Sequence, residues 1–260
     1  MITLGALLCL AAACATVPRG PWVGPPPSSK QVIERLEARR LAVRSFEMQG
    51  EILVKTQDQE LFGDHLIRGV FPDRLRAEVL GPFGRPILRL VSDGVRLIVL
   101  DYRENQAFVG AANRKNIGRF LGLSLSPAEI YSLLTGSVPI MPHKSAQVVA
   151  APEPGQAQLN LLGAGGAVGQ GVVFSLSDFV VHRAWLREWT GQAGPGPAFE
   201  CLFSAFVQSG PESYPKTIDI SDRDQRQISL TNDQAAFNLP VDGALFEMEI
   251  PPGVEVRELK

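Results

Sequence analysis

The chain is short of everything that a disulfide framework, a metal centre or an active site needs. It has three cysteines in 260 residues, at positions 9, 14 and 201. Such spacing builds no framework. Cys201 alternates in phase with Phe199, Phe203, Ala205 and Val207, as a buried small hydrophobe would. The three histidines, His65, His143 and His182, lie far apart and lack metal-ligand spacing to Cys, Asp or Glu. A structural or surface place is expected for each. Asp219, Asp222 and Asp224 surround a turn, where solvation accounts for them without calcium. There is no G-x-S-x-G, so no nucleophile elbow. The glycine-rich run from Gly163 to Gly171 fits neither G-x-G-x-x-G nor the P-loop, and reads as a flexible hairpin loop. Charge is balanced too, with a net value of -2, which gives no electrostatic case for nucleic acid. These absences point away from an enzyme, a metal, a cofactor and a nucleic-acid partner.

Long apolar runs are also missing. The longest, from Ile2 to Val17, falls short of the roughly 20 residues that span a bilayer. It ends in Leu10-Ala11-Ala12-Ala13-Cys14, and prolines follow at 18, 21, 25, 26 and 27. An apolar start that stops at small residues and a cysteine reads as a bacterial lipoprotein signal over residues 1–13, cut before Cys14. The alternative is an ordinary secretory signal cut near the alanines, with Cys14 free. A lipidated Cys14 would anchor the chain, since each buried methylene contributes about 0.8 kcal/mol. Residues 14–29 then form a tether, extended at about 3.1 Å per residue and reaching roughly 45 Å. Ala15, in place of the aspartate that retains enteric lipoproteins at the inner membrane, resembles an outer-membrane address. The expected location is the bacterial envelope, on the outer membrane and facing the periplasm.

Residues 30–260 read as one domain, without a repeat or an internal linker. Ser28 or Ser29 caps a helix over Lys30 to Arg44, with Val32, Ile33, Leu36 and Val43 on one stripe. From Phe46 the period changes to two. Phe46, Met48, Gly50, Ile52 and Val54 alternate with polar or exposed positions, and Leu75, Ala77 and Val79 do so opposite Arg74, Arg76 and Glu78. Asp93-Gly94 signals a tight hairpin. Arg114 to Leu121 is weakly helical. Ser126-Pro127-Ala128-Glu129 is a capping box with proline at the first helical position, and Gly136 ends that helix. About a dozen short strands in all predict a strongly curved antiparallel sheet with a few helices on one side.

The turn at Pro82-Phe83-Gly84 is out of character, because turn tips are normally polar. The ring either packs beneath the loop or stands exposed, where it would meet lipid or a partner.

At these residues the chain resembles a known family. Arg74-Leu75-Arg76-Ala77-Glu78-Val79-Leu80-Gly81-Pro82-Phe83-Gly84 is similar to the strand and protruding hairpin of the LolB family, outer-membrane lipoproteins that receive other lipoproteins from a periplasmic carrier. Phe120-Leu121-Gly122-Leu123 through Leu134-Thr135-Gly136 is similar to that family's inner helices. Leu245 to Val254 looks more like the tail of the related LolA carriers. Such patches cover about a fifth of the chain. The resemblance implies an incomplete antiparallel barrel of about 11 strands, with a helical lid over an apolar cavity. It also implies a LolA-like carrier as partner, lipoprotein acyl chains as cargo, and a membrane-transfer loop at Pro82, Phe83 and Gly84. Phe46, Met48, Ile52, Val54, Leu75 and Val79 are the expected cavity wall, and Ile117, Phe120, Leu121, Ile130, Leu133 and Leu134 the expected lid. An acyl chain of about 15 methylenes loses roughly 12 kcal/mol of favourable burial in water, so a receiver must offer an apolar surface. Two alternatives stand beside this one: an envelope lipoprotein binding another hydrophobic ligand such as a glycolipid, and a structural or interaction lipoprotein whose barrel is filled by its own side chains.

Overall fold

The computed structural model describes residues 27–56, 60–187, 198–209, 212–222 and 226–260. The signal, Cys14 and most of the proline-rich tether lie outside the described residues.

Helix α1 spans Ser29–Ala42. Ser28 is its cap: the Gln31 amide donates to the Ser28 hydroxyl, and the Gln31 side chain accepts from the Ser28 amide. Its stripe seats Val32 and Leu36 in the core. The chain then makes a meander of six strands, β1 (Ser45–Lys55), β2 (Glu60–Val70), β3 (Arg74–Leu80), β4 (Pro86–Ser92), β5 (Arg96–Asp101) and β6 (Gln106–Ala111). Two helices follow, α2 (Arg114–Leu121) and α3 (Pro127–Leu134). A second meander contains β7 (Ser145–Ala150), β8 (Gln156–Leu162), β9 (Val168–Ser175), β10 (Val181–Arg187), β11 (Ala198–Ser209), β12 (Glu212–Asp222) and β13 (Gln227–Phe237). A last short strand, β14 (Glu255–Glu258), ends the chain.

All fourteen strands of the described residues belong to one sheet, ordered β14-β6-β5-β4-β3-β2-β1-β13-β12-β11-β10-β9-β8-β7. The two meanders join where β1 lies antiparallel to β13, with Val54 opposite Ile228 and Phe46 opposite Phe237. β7 and β14 do not meet, so the sheet is open. The fold is the half-open, mainly β architecture expected, with more strands than the 11 that the resemblance implied. The extra edge strand, β14, was not anticipated. It pairs with β6 in parallel, Val256 facing Ala107.

Two local readings need correction. The glycine-rich run is only half a loop. Residues 163–167 turn, but Gly169 and Gly171 belong to β9. Gly171 is there because the Trp185 ring lies on it: a Cβ would come within 2.0 Å of that ring. In β11 the phase breaks at Ala205, whose φ is 53° and which pairs with no β12 residue. Cys201 and Phe203 are buried as expected, but beyond the break Phe206 turns inward and Val207 outward.

The helices close over the inner face of the sheet. Both members of the α3 capping box are formed: the Glu129 amide donates to the Ser126 hydroxyl, and the Ser126 amide donates to the Glu129 carboxylate. Tyr131 is the central lock. Its ring lies 5.2 Å from Phe46 and 5.8 Å from Phe71, and its hydroxyl donates to the Val43 carbonyl at 3.1 Å. Burial pushes that phenol well above its ordinary pKa.

Candidate functional site: an apolar cavity and the turn beside it

Between the sheet and the two helices lies a cavity of about 90 Å³. Its wall is built by period two on the strands and by the inner stripes of the helices. β1 contributes Ile52 and Val54, and β3 contributes Leu75, Ala77 and Val79. The helical side is Phe120 and Leu121 of α2 with Ile130, Leu133 and Leu134 of α3. Among the described residues every lining side chain is aliphatic or aromatic. A buried water needs only about 10–15 Å³ but also two to four polar partners. The cavity has the room and lacks the partners, so it favours methylenes over water.

Two expected wall residues and one expected lid residue stand elsewhere. Phe46 and Met48 are fully buried but not in the cavity lining, and Tyr131 covers Phe46. Ile117 packs into a separate cluster with Leu90, Leu97, Val99 and Leu259. Sequence reasoning also missed part of the wall: Leu61 and Ile67 of β2, Leu88 and Leu90 of β4, Ile220 of β12, Ile228 and Leu230 of β13, and Leu125 before α3. Their alternation was visible. Which inward residues stop short of a partner was not.

Two further voids adjoin the cavity. A small one of about 30 Å³ shares Leu125 and Leu133 with it. That one shares Met141, Gln170 and Leu186 with a cleft of about 340 Å³ at the ends of β8, β9 and β10. Gln170 pins the crossing chain there, donating to the Pro139 carbonyl and accepting from the Met141 amide.

The second feature is the turn between β3 and β4. Phe83 is 99% exposed. Its φ is 63°, a left-handed conformation that an aromatic residue rarely adopts, and Gly84 follows at 69°. The Gly81 amide donates to the Arg85 carbonyl at 2.8 Å and closes the turn. A Cβ on Gly84 would meet nothing within 4 Å, so the tip stands in open space. Phe62 is at the same end. β2 pairs with β3 through Asp64 and Leu80, so Phe62 lies beside the base of the turn, on the outer face and 61% exposed. No other aromatic ring among the described residues is as open to solvent as these two.

His65 is the polar exception on the inner face. It faces Gly50 of β1 and Val79 of β3, and Asn232 of β13 lies across Gly50. His65 is 2% exposed and Asn232 1%. Neither ring nitrogen of His65 has a hydrogen-bond partner, and the Asn232 carbonyl oxygen has none. Burial lowers the His65 pKa to about 4, against weaker opposing pulls from Asp233, Asp64 and the Met48 main chain. The imidazole is therefore neutral at pH 7. Burial likewise holds the Cys201 thiol well above its ordinary pKa, which makes it an inert packing group.

Among the described residues no group of three or more His, Cys, Asp and Glu side chains could hold a metal. No helix there is long and apolar enough to cross a membrane.

No family model matches the chain, and no curated protein matches it in sequence. Solved structures do share its fold. A LolA superfamily protein from Nitrosomonas europaea superposes with a TM-score of 0.54 at 14% identity, over 85% of this chain and 99% of that one. A putative outer membrane lipoprotein-sorting protein domain from Vibrio parahaemolyticus gives 0.54 at 11% identity, over 84% and 95%. A DUF1329 family protein from Desulfovibrio piger gives 0.53 at 10% identity, over 84% and 95%. At such identities the likeness is one of fold: an open, LolA-like sheet with helices against its inner face.

Proposed function

We propose that this protein is a lipid-anchored outer-membrane lipoprotein, held by Cys14, that takes lipoprotein acyl chains from a periplasmic LolA-like carrier and inserts them into the outer membrane. The cavity lined by apolar side chains alone is the observation that carries this reading. It offers an acyl chain the environment that water denies it. Transfer without nucleotide chemistry needs only that affinity rise from carrier to receiver to bilayer. The exposed Phe83 is the element that meets lipid, with Pro82 and Gly84 shaping the turn and Phe62 flanking it. The fold shared with a lipoprotein-sorting domain supports the same class of ligand.

The test uses the full-length chain with Cys14→Ser. That variant should leave the membrane fraction for the soluble periplasm. Purified, it should bind a fluorescent hydrophobic probe saturably, and triacylated cysteinyl peptides should displace the probe. A natively folded variant with no saturable binding would refute the cavity reading and favour a barrel filled by its own side chains.

A further inference from the structure

We infer that the ligand carries an anionic group next to its apolar chain, and that Arg187 and Arg114 at the mouth of the 340 Å³ cleft receive it. This rests on the cavity binding an acyl chain, as proposed above.

The three voids share walls in sequence. Leu125 and Leu133 separate the apolar cavity from the small void, and Met141, Gln170 and Leu186 separate the small void from the cleft. Three of those five dividers are leucines and a fourth is Met141, whose unbranched thioether adapts to irregular space. A chain entering the cavity past them leaves its head in the cleft. The character of the lining changes along this route, from wholly apolar at one end to a rim with two guanidiniums at the other. Among the described residues no carboxylate lines the cleft.

Among the described residues, the carboxylate that touches this lining is Glu129, in the small void, and it is already occupied. It accepts from the Ser126 amide and hydroxyl through one oxygen, at 2.8 and 2.9 Å, and from Arg114 through the other. The Arg114 side chain is still 44% exposed, so it has donors to spare. Arg187 is exposed at the end of β10, and among the described residues no hydrogen bond or ion pair engages its guanidinium. Two cations against one capped anion leave the described part of the rim net positive. A guanidinium fork matches carboxylate or phosphate oxygens in geometry as well as charge. A neutral head would gain less there, as an uncharged acceptor, and a cationic head would be repelled.

Binding of four C16 probes to the full-length Cys14→Ser chain tests this: palmitate, hexadecyl phosphate, hexadecanol and hexadecyltrimethylammonium, each displacing the same fluorescent probe. The two anions should bind about tenfold more tightly than hexadecanol, the worth of one charged hydrogen bond. Arg187→Gln should erase most of that preference and leave hexadecanol unchanged. Arg187→Glu should invert it towards the cation. A triacylated cysteinyl peptide with Asp after the cysteine, compared with its Asn counterpart, tells whether the anion belongs to a peptide or a lipid head. Hexadecanol binding as tightly as the anions, or an anion preference that survives Arg187→Glu, would overturn the inference while leaving the apolar site intact. Failure of all four probes to bind a folded chain would sink the cavity reading and this one with it.

Discussion

Strand β4 has a turn at each end, and the two are built on opposite principles. At Asp93-Gly94 the side chains hold the backbone. Asp93 accepts from the Val95 and Arg96 amides at 2.8 and 2.7 Å, and the Ser92 hydroxyl accepts from Gly94 at 3.1 Å. Those bonds keep the Asp93 carboxyl below the usual aspartate pKa, the Arg96 amide first among the causes. At Pro82-Phe83-Gly84 no side chain holds anything. The turn rests on main-chain bonds, places an aromatic residue in a left-handed conformation and leaves its ring in solvent. The first turn is what folding alone would select. The second works against local stability, since left-handed backbone costs a residue with a Cβ roughly 1–2 kcal/mol. A conformation of this kind persists where something other than folding uses it.

Three experiments press on that contrast, from the largest effect to the smallest. Phe83→Glu should leave the fold and probe binding unchanged and slow delivery of acylated cargo to liposomes at least about tenfold, because a charge is costly below the bilayer surface. Transfer at the wild-type rate would make the two turns equivalent.

The second experiment is a pH series, which separates the turns from the rest of the molecule. Unfolded His65 takes a proton near 6.5, whereas in the folded chain it does so only near pH 4. Its contribution is therefore complete above 6.5 and drains away as the pH falls towards 4. Urea unfolding should show a loss of about 2 kcal/mol between pH 7 and pH 5. His65→Leu should remove that slope. Neither turn titrates in this range, so a slope that survives the substitution would place the acid sensitivity elsewhere.

Third, Asp93→Ala should destabilise the protein by about 1 kcal/mol through lost amide acceptors. Phe83→Gly should stabilise it by about 0.5 kcal/mol, once relief of the left-handed strain is set against the extra freedom of unfolded glycine. Paired urea midpoints give the comparison. Equal signs for the two substitutions would refute it.

The sequence made most of this architecture legible, for local reasons. The α3 cap is spelled out in four consecutive residues, and β3 runs over Arg74–Leu80 as its alternation predicts. β14 was invisible because four exposed residues carry no inward face and pair only with a distant strand. The left-handed backbone at Ala205 reversed the phase of β11 without a glycine to announce it. In the cavity, alternation told which residues face inward. It did not tell that Phe46 meets Tyr131 while Val54 meets a void, because filling depends on what crosses the sheet from the other side. His65 read as an ordinary structural or surface histidine, and only the register shows it opposite a glycine. The Phe83 anomaly was legible as a turn with the wrong residue, while its complete exposure needed coordinates.

The pairing of β1 with β13 also sets a schedule. The two strands are separated by most of the chain, and β14 reaches β6 only when the last residues arrive. Until then one edge of the N-terminal meander is unpaired and its greasy side has no opposing half. The protein is thus most vulnerable to aggregation before its second half is in place, and a holding chaperone that covers the first meander until β13 pairs with β1 would raise its yield.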